Sequence, residues 1–516
     1  MRKLRYIVGL GFLFGTLACN DILEINPKNS VTFSNAMQTE REIEIGLGTV
    51  EKQIRAYSQD RYRIKPASAG RFASRIFEYG GNNEQTLTQL YGSAVCDWGN
   101  IYQIIASANI VLPYIEQVKM PEERRNFYKG QVYFFKAFCY YELIRRWGDC
   151  PYIGTRVELE PIAKSPWTTI ADSAIYMAQR AADLLPEFSQ ATTSDGSAIM
   201  YKSTPVRGAA NILLAHLCAW KAGCKYLASG DGRGYDEMEL WRRAEEACTE
   251  IIWSEEYELA ATPEEVCTQV LVDGGQEAIF VSVFRNFWNE VGYDPFNRYA
   301  TVYTTYPVKP MVGPGENRGY DAISYQDVKK MYPGGDLRRN AYFYKPDSMN
   351  VLVVGESGRP LYEDAFLYKW RKCVVETSGN DRGKFVTFDQ NMIWWRLADV
   401  FLLRAECRCR LGNRKGAIDD LNEVRRRAGA ADYKNTEYNG DLRRAVFKER
   451  EKEFLLEGER YFDIIRNDYR KLDLRGNFVT LDDQDFIDGA FWNAVGSSAF
   501  TRNTLMRQNT FWLKRK

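Results

Sequence analysis

"WWRLADVFLLRAECRCRLGNRKGAIDDLNEVRRRAG", residues 394–429, decides the architecture. Apolar residues recur in it at three- and four-residue spacing, and the pattern breaks once, at Leu411-Gly412-Asn413. A helix stop at glycine followed by a second periodic run predicts two helices joined by a tight turn. Ala405 near the crossing, then Ala417, Leu421 and Val424, make a tetratricopeptide-like helical hairpin. Ala244, Cys248 and Ile251 repeat the same offsets. The repeats are irregularly spaced, so a regular solenoid is not expected.

Further helix pairs lie upstream. "WGNIYQIIASANIVLPYIEQV" places Ile101, Ile104, Ile105, Ala108 and Leu112 on one helical face. "YKGQVYFFKAFCYYELIRRWGDCP" continues the pattern through Val132, Phe135, Ala137, Tyr141 and Ile144, and stops at Gly148 and Pro151. "TTIADSAIYMAQRAADLLP" and "TPVRGAANILLAHLCAWKAG" form a second pair, and "ELWRRAEEACTEIIW" adds another helix. Between about 255 and 390 the composition shifts to Gly, Pro, Tyr and Asn, with short strand-like pieces such as "EAIFVSVF" and "NVLVV". The predicted fold is mostly α: a tetratricopeptide-like hairpin scaffold over about 97–255 and 390–470, long irregular loops, and a few short strands. Residues 19–516 are expected to form one domain, with ligand binding in the loop-rich part at about 255–390.

The start of the chain reads as an export signal. Arg2, Lys3 and Arg5 precede an apolar run from Tyr6 to Leu17. Twelve helical residues rise about 18 Å, too short for a hydrocarbon core of roughly 30 Å. Residues 1–18 are therefore predicted to be a signal peptide. Leu17-Ala18-Cys19 resembles the bacterial lipobox, which makes Cys19 the expected lipidation site and the only membrane anchor.

Composition excludes several functions. Removing Arg2, Lys3 and Arg5 leaves 66 basic residues against 68 acidic ones, so no basic excess points to nucleic acid. The run Arg425-Arg426-Arg427 reads as the solvated face of a charged helix. The single histidine, His216 in "NILLAHLCAW", reads as a packed core residue, and serine-hydrolase or histidine-rich zinc chemistry lacks its base and ligands. Ten cysteines remain besides Cys19, none spaced CxxC; Cys139, Cys218 and Cys248 sit among apolar residues as small hydrophobes. "GNDRGKF" lacks the gap and Ser/Thr of a phosphate loop, and "DGRGYDEMELWR" has arginines where a calcium loop needs acids. No metal and no cofactor is expected.

The C-terminal third carries a family resemblance. "RLADVFLLRAE", "LNEVRRRAG" and "KEREKEFLLEGERYFDIIR" resemble the signature helices of the SusD/RagB nutrient-binding lipoproteins. Trp98, Tyr102, Ile105 and Asn109, the turn "RRWGDCPYI", Asp336 and Arg338 in "YPGGDLRRN", and "ILEINPKN" are similar to earlier family elements. The tail "MRQNTFWLKRK" departs from the family ending at Thr510 and Phe511. Arg450, Glu453, Glu457, Arg460 and Asp463 lie at helical spacings and are expected to form a scaffold network of charge-assisted hydrogen bonds.

The resemblance implies a non-catalytic lipoprotein at the outer membrane, exposed on the cell surface. It would bind oligosaccharides, or oligopeptides in the RagB branch, and deliver them to a SusC-like TonB-dependent barrel. It also implies ligand-binding loops before the first helix pair and in the middle third. "FRNFWNEVGYDPFNRYATVYTTY" holds eight aromatics in 23 positions, a chemistry suited to sugar faces. The candidate ligand residues are Trp288, Tyr293, Phe296 and Tyr299, with Arg71, Asn82 and Asn83 in the upstream loop and Trp98 before the first helix. Alternating "YATVYTTY" equally describes a buried strand. Two other roles fit a lipid-anchored helical protein: an enzyme degrading polysaccharide, which needs one carboxyl held protonated opposite another, and an adaptor that binds only proteins.

Overall fold

The computed structural model describes residues 36–60, 97–155, 160–284, 306–308, 323–348, 364–474 and 476–514. The predicted helix pairs form α2 (Gly99–Gln117), α3 (Glu122–Trp147), α4 (Trp167–Leu184), α5 (Arg207–Gly223) and α6 (Glu237–Trp253). They are preceded by α1 (Glu40–Asp60), which the sequence reading above does not include. Its Ile43, Leu47, Val50, Ile54 and Tyr57 are all buried, at spacings of three and four residues. The C-terminal third adds α7 (Leu397–Arg410), α8 (Arg414–Arg427), α9 (Leu442–Glu453) and α10 (Arg460–Asn467). Each of α1 to α6 packs on the next in sequence, and α7 packs on α6, α8 and α9.

The α7–α8 hairpin has the expected form. Asn413 caps α8 by accepting from the Gly416 N–H at 3.0 Å, and Gly412 takes the left-handed φ of 80° that the turn requires. Ala398, Leu402 and Ala405 face Ala417, Leu421 and Val424 in one apolar cluster, while Val400, Leu403 and Cys407 face the main core. Because α7 is covered on both sides, even its Asp399, Arg404 and Glu406 are buried, and each is paired with a charge from a neighbouring helix.

Strands are short and pair two by two, all antiparallel: β1 (Cys150–Pro151) with β2 (Lys164–Ser165), β3 (Ala278–Ser282) with β8 (Met392–Arg396), β4 (Ile323–Ser324) with β5 (Asp364–Ala365), and β6 (Cys373–Val375) with β7 (Phe385–Phe388). The predicted "EAIFVSVF" strand is β3. Its partner β8 corrects the expected helix start, because residues 392–396 are extended and α7 begins only at Leu397. Met-Ile-Trp-Trp favours a buried strand, and Trp394 Nε1–H donates to Ser282 Oγ across the pair at 2.9 Å. Phe134 and Phe138 of α3 pack edge-on against Phe280, and Phe138 against Trp394. The piece "NVLVV" lies outside the described residues.

The last segment closes onto the first half. α3 ends at Gly148, with φ 70°, and a β-carbon there would come within 2.6 Å of the Trp492 ring. Asn493 N–H donates to Arg146 O at 2.7 Å, and Asn509 accepts from Lys164 Nζ at 2.6 Å. Phe511 and Trp512 are buried, so the departing tail packs in spite of its altered residues.

Candidate ligand-binding site

The charged signature comes first, because it could be mistaken for a site. Arg396 at the β8–α7 junction binds Glu277 at 2.6 Å, Glu453 at 2.7 Å and Glu457 at 2.9 Å. Glu453 also receives Arg427 and, at 3.2 Å, Arg338, whose guanidinium is held by Asp336 and Glu449. Arg450 joins Asp399 at 2.6 Å to Asp463 at 2.9 Å, and Arg466 joins Asp463 to Glu406. His216 Nε2 lies 2.7 Å from Asp399 within this buried set. Burial pushes the Glu449 carboxyl up, but Arg338, Lys452 and Arg425 outweigh it and set it at about 2. Glu406 is likewise set at about 2, burial being overcome by Arg466. These acids are ionised and saturated with cations. They are scaffold, as expected, but not through helical spacing: the helix breaks between Glu453 and Arg460, and Arg450 meets Asp463, Glu457 meets Lys369 and Arg396, and Arg460 meets Glu451 and Asp473.

One expectation is corrected here. Arg425 and Arg427 are buried, bonding Glu449 and Glu437, and Glu277 and Glu453, respectively. Only Arg426 faces solvent, paired with Asp432. Helical periodicity places three adjacent arginines but says nothing of the acids that reach them from other elements.

The first-helix residues also act as clamps. Trp98 is 6 % exposed, its ring 5.9 Å from that of Trp147 and 5.8 Å from that of Tyr102. Tyr102 O–H donates to Pro151 O at 2.8 Å, and Asn109 Nδ2–H to Gly154 O at 2.7 Å. The structure thus places Trp98 in the core. Trp288, Tyr293, Phe296, Tyr299, Arg71, Asn82, Asn83 and Cys19 lie outside the described residues.

What the structure describes of the middle third is a ladder of rings. Phe343 pairs with Leu367, flanked by Tyr344 N–H to Phe366 O at 2.9 Å and Tyr368 N–H to Tyr342 O at 2.8 Å. With side chains alternating along a strand, Phe343 and Leu367 go inward to the core, while Tyr344, Phe366 and Tyr368 share the other face. Tyr306 closes the set, edge-on to Tyr344 at 5.9 Å and to Phe366 at 5.4 Å; Tyr344 and Tyr368 are 5.4 Å apart. Phe366, Tyr306 and Tyr344 form a small cluster of their own, while Tyr368 also packs against the main core; the three tyrosines are half-buried. Sequence reasoning missed it, although "AYFYK" and "AFLYK" carry the alternation, because the two pieces are some twenty residues apart.

Two polar features stand out, one beside the ladder and one apart from it, beside β3. Arg371 lies 4.2 Å over the Tyr368 ring and bonds Glu264 at 2.9 Å. On the outer edge of β3, a cavity of about 830 Å³ is lined by Glu51, Arg55, Tyr201, Thr204 and Val281, among others. Burial raises the pKa of Glu51, opposed by hydrogen bonds from the Thr204 and Ser203 hydroxyls. Just beyond, Phe284 N–H donates to Asn391 Oδ1 at 3.1 Å, where the chain enters the aromatic segment. Among the described residues no group of acids, cysteines and histidine forms a metal site, and no helix is long and apolar enough to cross a membrane.

A helical scaffold locked by buried ion pairs, with aromatic rings displayed on irregular segments, is the build of a binding protein. Comparison with known proteins gives the family. The model of the SusD family matches residues 249–512, just over half of the chain, and a second model, described as starch-binding associating with outer membrane, matches residues 23–206. The chain belongs to the SusD/RagB family. SusD-like protein P25 of Formosa agariphila is 24 % identical, the match covering 90 % of each chain, and SusD-like protein P38 of the same organism is 22 % identical over 89 % of this chain and 90 % of its own. A SusD homologue from Bacteroides thetaiotaomicron superposes with a TM-score of 0.72 at 18 % identity, over 93 % of this chain and 98 % of its own. Bacteroides fragilis NanU superposes at 0.68 and 18 % identity, over 94 % and 99 %.

Proposed function

We propose that the protein is a non-catalytic, lipid-tethered receptor that binds oligosaccharides at the outer membrane and passes them to a SusC-like TonB-dependent barrel. The observation that carries the reading is the tyrosine ladder, three half-buried rings at the edge of the core in the loop-rich third. Flat, rigid rings offer contact area at low entropic cost, and sugar rings present apolar C–H faces to them. The aromatic segment around Trp288, Tyr293, Phe296 and Tyr299 extends the same chemistry, with Arg71, Asn82 and Asn83 as hydroxyl-binding candidates. The starch-binding description of the second family model supports a glycan over a peptide. A tether at Cys19 and exposure at the cell surface complete the proposal.

Affinity gels with a panel of oligosaccharides and of peptides test it. Glycan binding by the wild type, weakened by Tyr344→Ala and by Trp288→Ala, is the expected result, with no new reducing ends released. Binding confined to peptides would move the reading to a peptide receptor, and new reducing ends would make it an enzyme.

A further inference from the structure

We infer that the tyrosine ladder selects glycans carrying an anionic group, a carboxylate or sulfate, and that Lys345 is the residue that reads it; this rests on the glycan-binding reading above. Lys345 follows Tyr344 directly, is exposed, and holds its Nζ 5.3 Å from the centre of the Tyr344 ring. Its backbone φ is 41°, a conformation that side chains other than glycine rarely adopt. Surrounding structure fixes it there: Lys345 O accepts from Ser348 N–H at 3.1 Å, closing a turn, and the next residue, Pro346, is buried. The turn thus fixes where the side chain starts, and the ammonium lies over the Tyr344 ring, within reach of a sugar packed on the cluster.

Its neighbours make the difference plain. Arg371, over Tyr368, is bound to Glu264; Arg339 is bound to Asp347; Lys372 is 3.1 Å from Asp389. Among the described residues Lys345 has no carboxylate within ion-pair distance. Arg371, Arg339 and Lys372 are thus each balanced by one of the protein's own acids, whereas Lys345 presents its charge to a ligand. A ring stacked on Tyr344 places an exocyclic carboxylate or sulfate beside a lysine, where a charge-assisted hydrogen bond forms. A neutral sugar gains the stacking alone.

The test uses the full chain and a glycan panel in which acidic oligomers are matched to neutral ones, including oligogalacturonate and its fully methyl-esterified form. Affinities are measured at low and at physiological salt. The expected result is preference for an acidic glycan, weakened by salt, reduced about tenfold by Lys345→Met and restored by Lys345→Arg. The affinity for neutral partners and the melting temperature stay unchanged, since the side chain is exposed. Equal binding of acidic and neutral partners, or an acidic preference indifferent to Lys345→Met, overturns the inference while leaving the glycan receptor standing. Absence of binding to every glycan overturns the receptor reading itself, and the inference with it.

Discussion

The C-terminal third and the middle third handle charge in opposite ways. Around α9 and α10, arginines and glutamates are buried and mutually saturated: Arg338, Arg396 and Arg450 are each at most 1 % exposed and each contacts at least two acids. Around the tyrosine ladder, rings stand half-buried at the edge of the core, and among the described residues Lys345 has no carboxylate within ion-pair distance. Removing two charges from water costs several kcal/mol per ion, regained only when every partner is in place. A dense charged motif is thus unavailable to a ligand here, whereas the exposed Lys345 beside half-buried rings is open to one.

The largest effect expected from this contrast is acid unfolding. Glu449 and Glu406 have pKa values lowered in the fold to about 2, against about 4.3 in an unfolded chain. Their stabilisation is complete above the unfolded value and is lost as pH falls through the folded one, so a denaturant midpoint followed by circular dichroism should hold steady above about pH 5 and drop steeply between about 4 and 2. Next comes Glu453→Ala, which leaves Arg338, Arg396 and Arg427 facing each other in the interior. A loss of about 3–5 kcal/mol is expected in chemical denaturation, and retention of wild-type stability would refute the locked-scaffold half of the comparison. Trp98→Ala should cost about 3 kcal/mol through the cavity it opens, with glycan affinity per folded molecule unchanged; a selective loss of affinity would return Trp98 to the site. Tyr344→Ala should weaken binding about three- to tenfold, with a stability loss of about 1–3 kcal/mol from its two ring contacts. Smallest is Arg426→Ala, the exposed member of its run, expected to leave the denaturation midpoint where it is in the wild type.

How much of this was legible depends on how far apart partners lie in sequence. Helices α2 to α6 and the α7–α8 turn follow from local spacing and a single glycine, and were readable. Helix α1 was equally periodic, yet it was passed over between a lipobox and a polar loop. Residues 392–396 misled because Trp394 and Trp395 continue smoothly into a helical pattern; only the distant Ala278–Ser282 pulls them into a strand. Arg425 and Arg427 looked solvated for the same reason, since Glu277 and Glu453 reach Arg427 from 150 and 26 residues away. Of the candidate site, Trp98 was placed by the structure in the core, the other named residues lie outside what is described, and the tyrosine ladder needed its two pieces aligned in space before it could be seen.

The closure of the chain's last segment on its first half has a kinetic consequence. The Gly148 turn is shut by Trp492, Arg146 O finds its donor in Asn493, and Lys164 finds its acceptor in Asn509. A polypeptide emerging in order from its N-terminus cannot make these contacts until more than 300 further residues have appeared. Loops of that length make folding slow and late. The growing chain stays open to a translocase or a chaperone for nearly the whole of its synthesis, and an early stop codon anywhere before Trp492 leaves even the N-terminal helices without their latch.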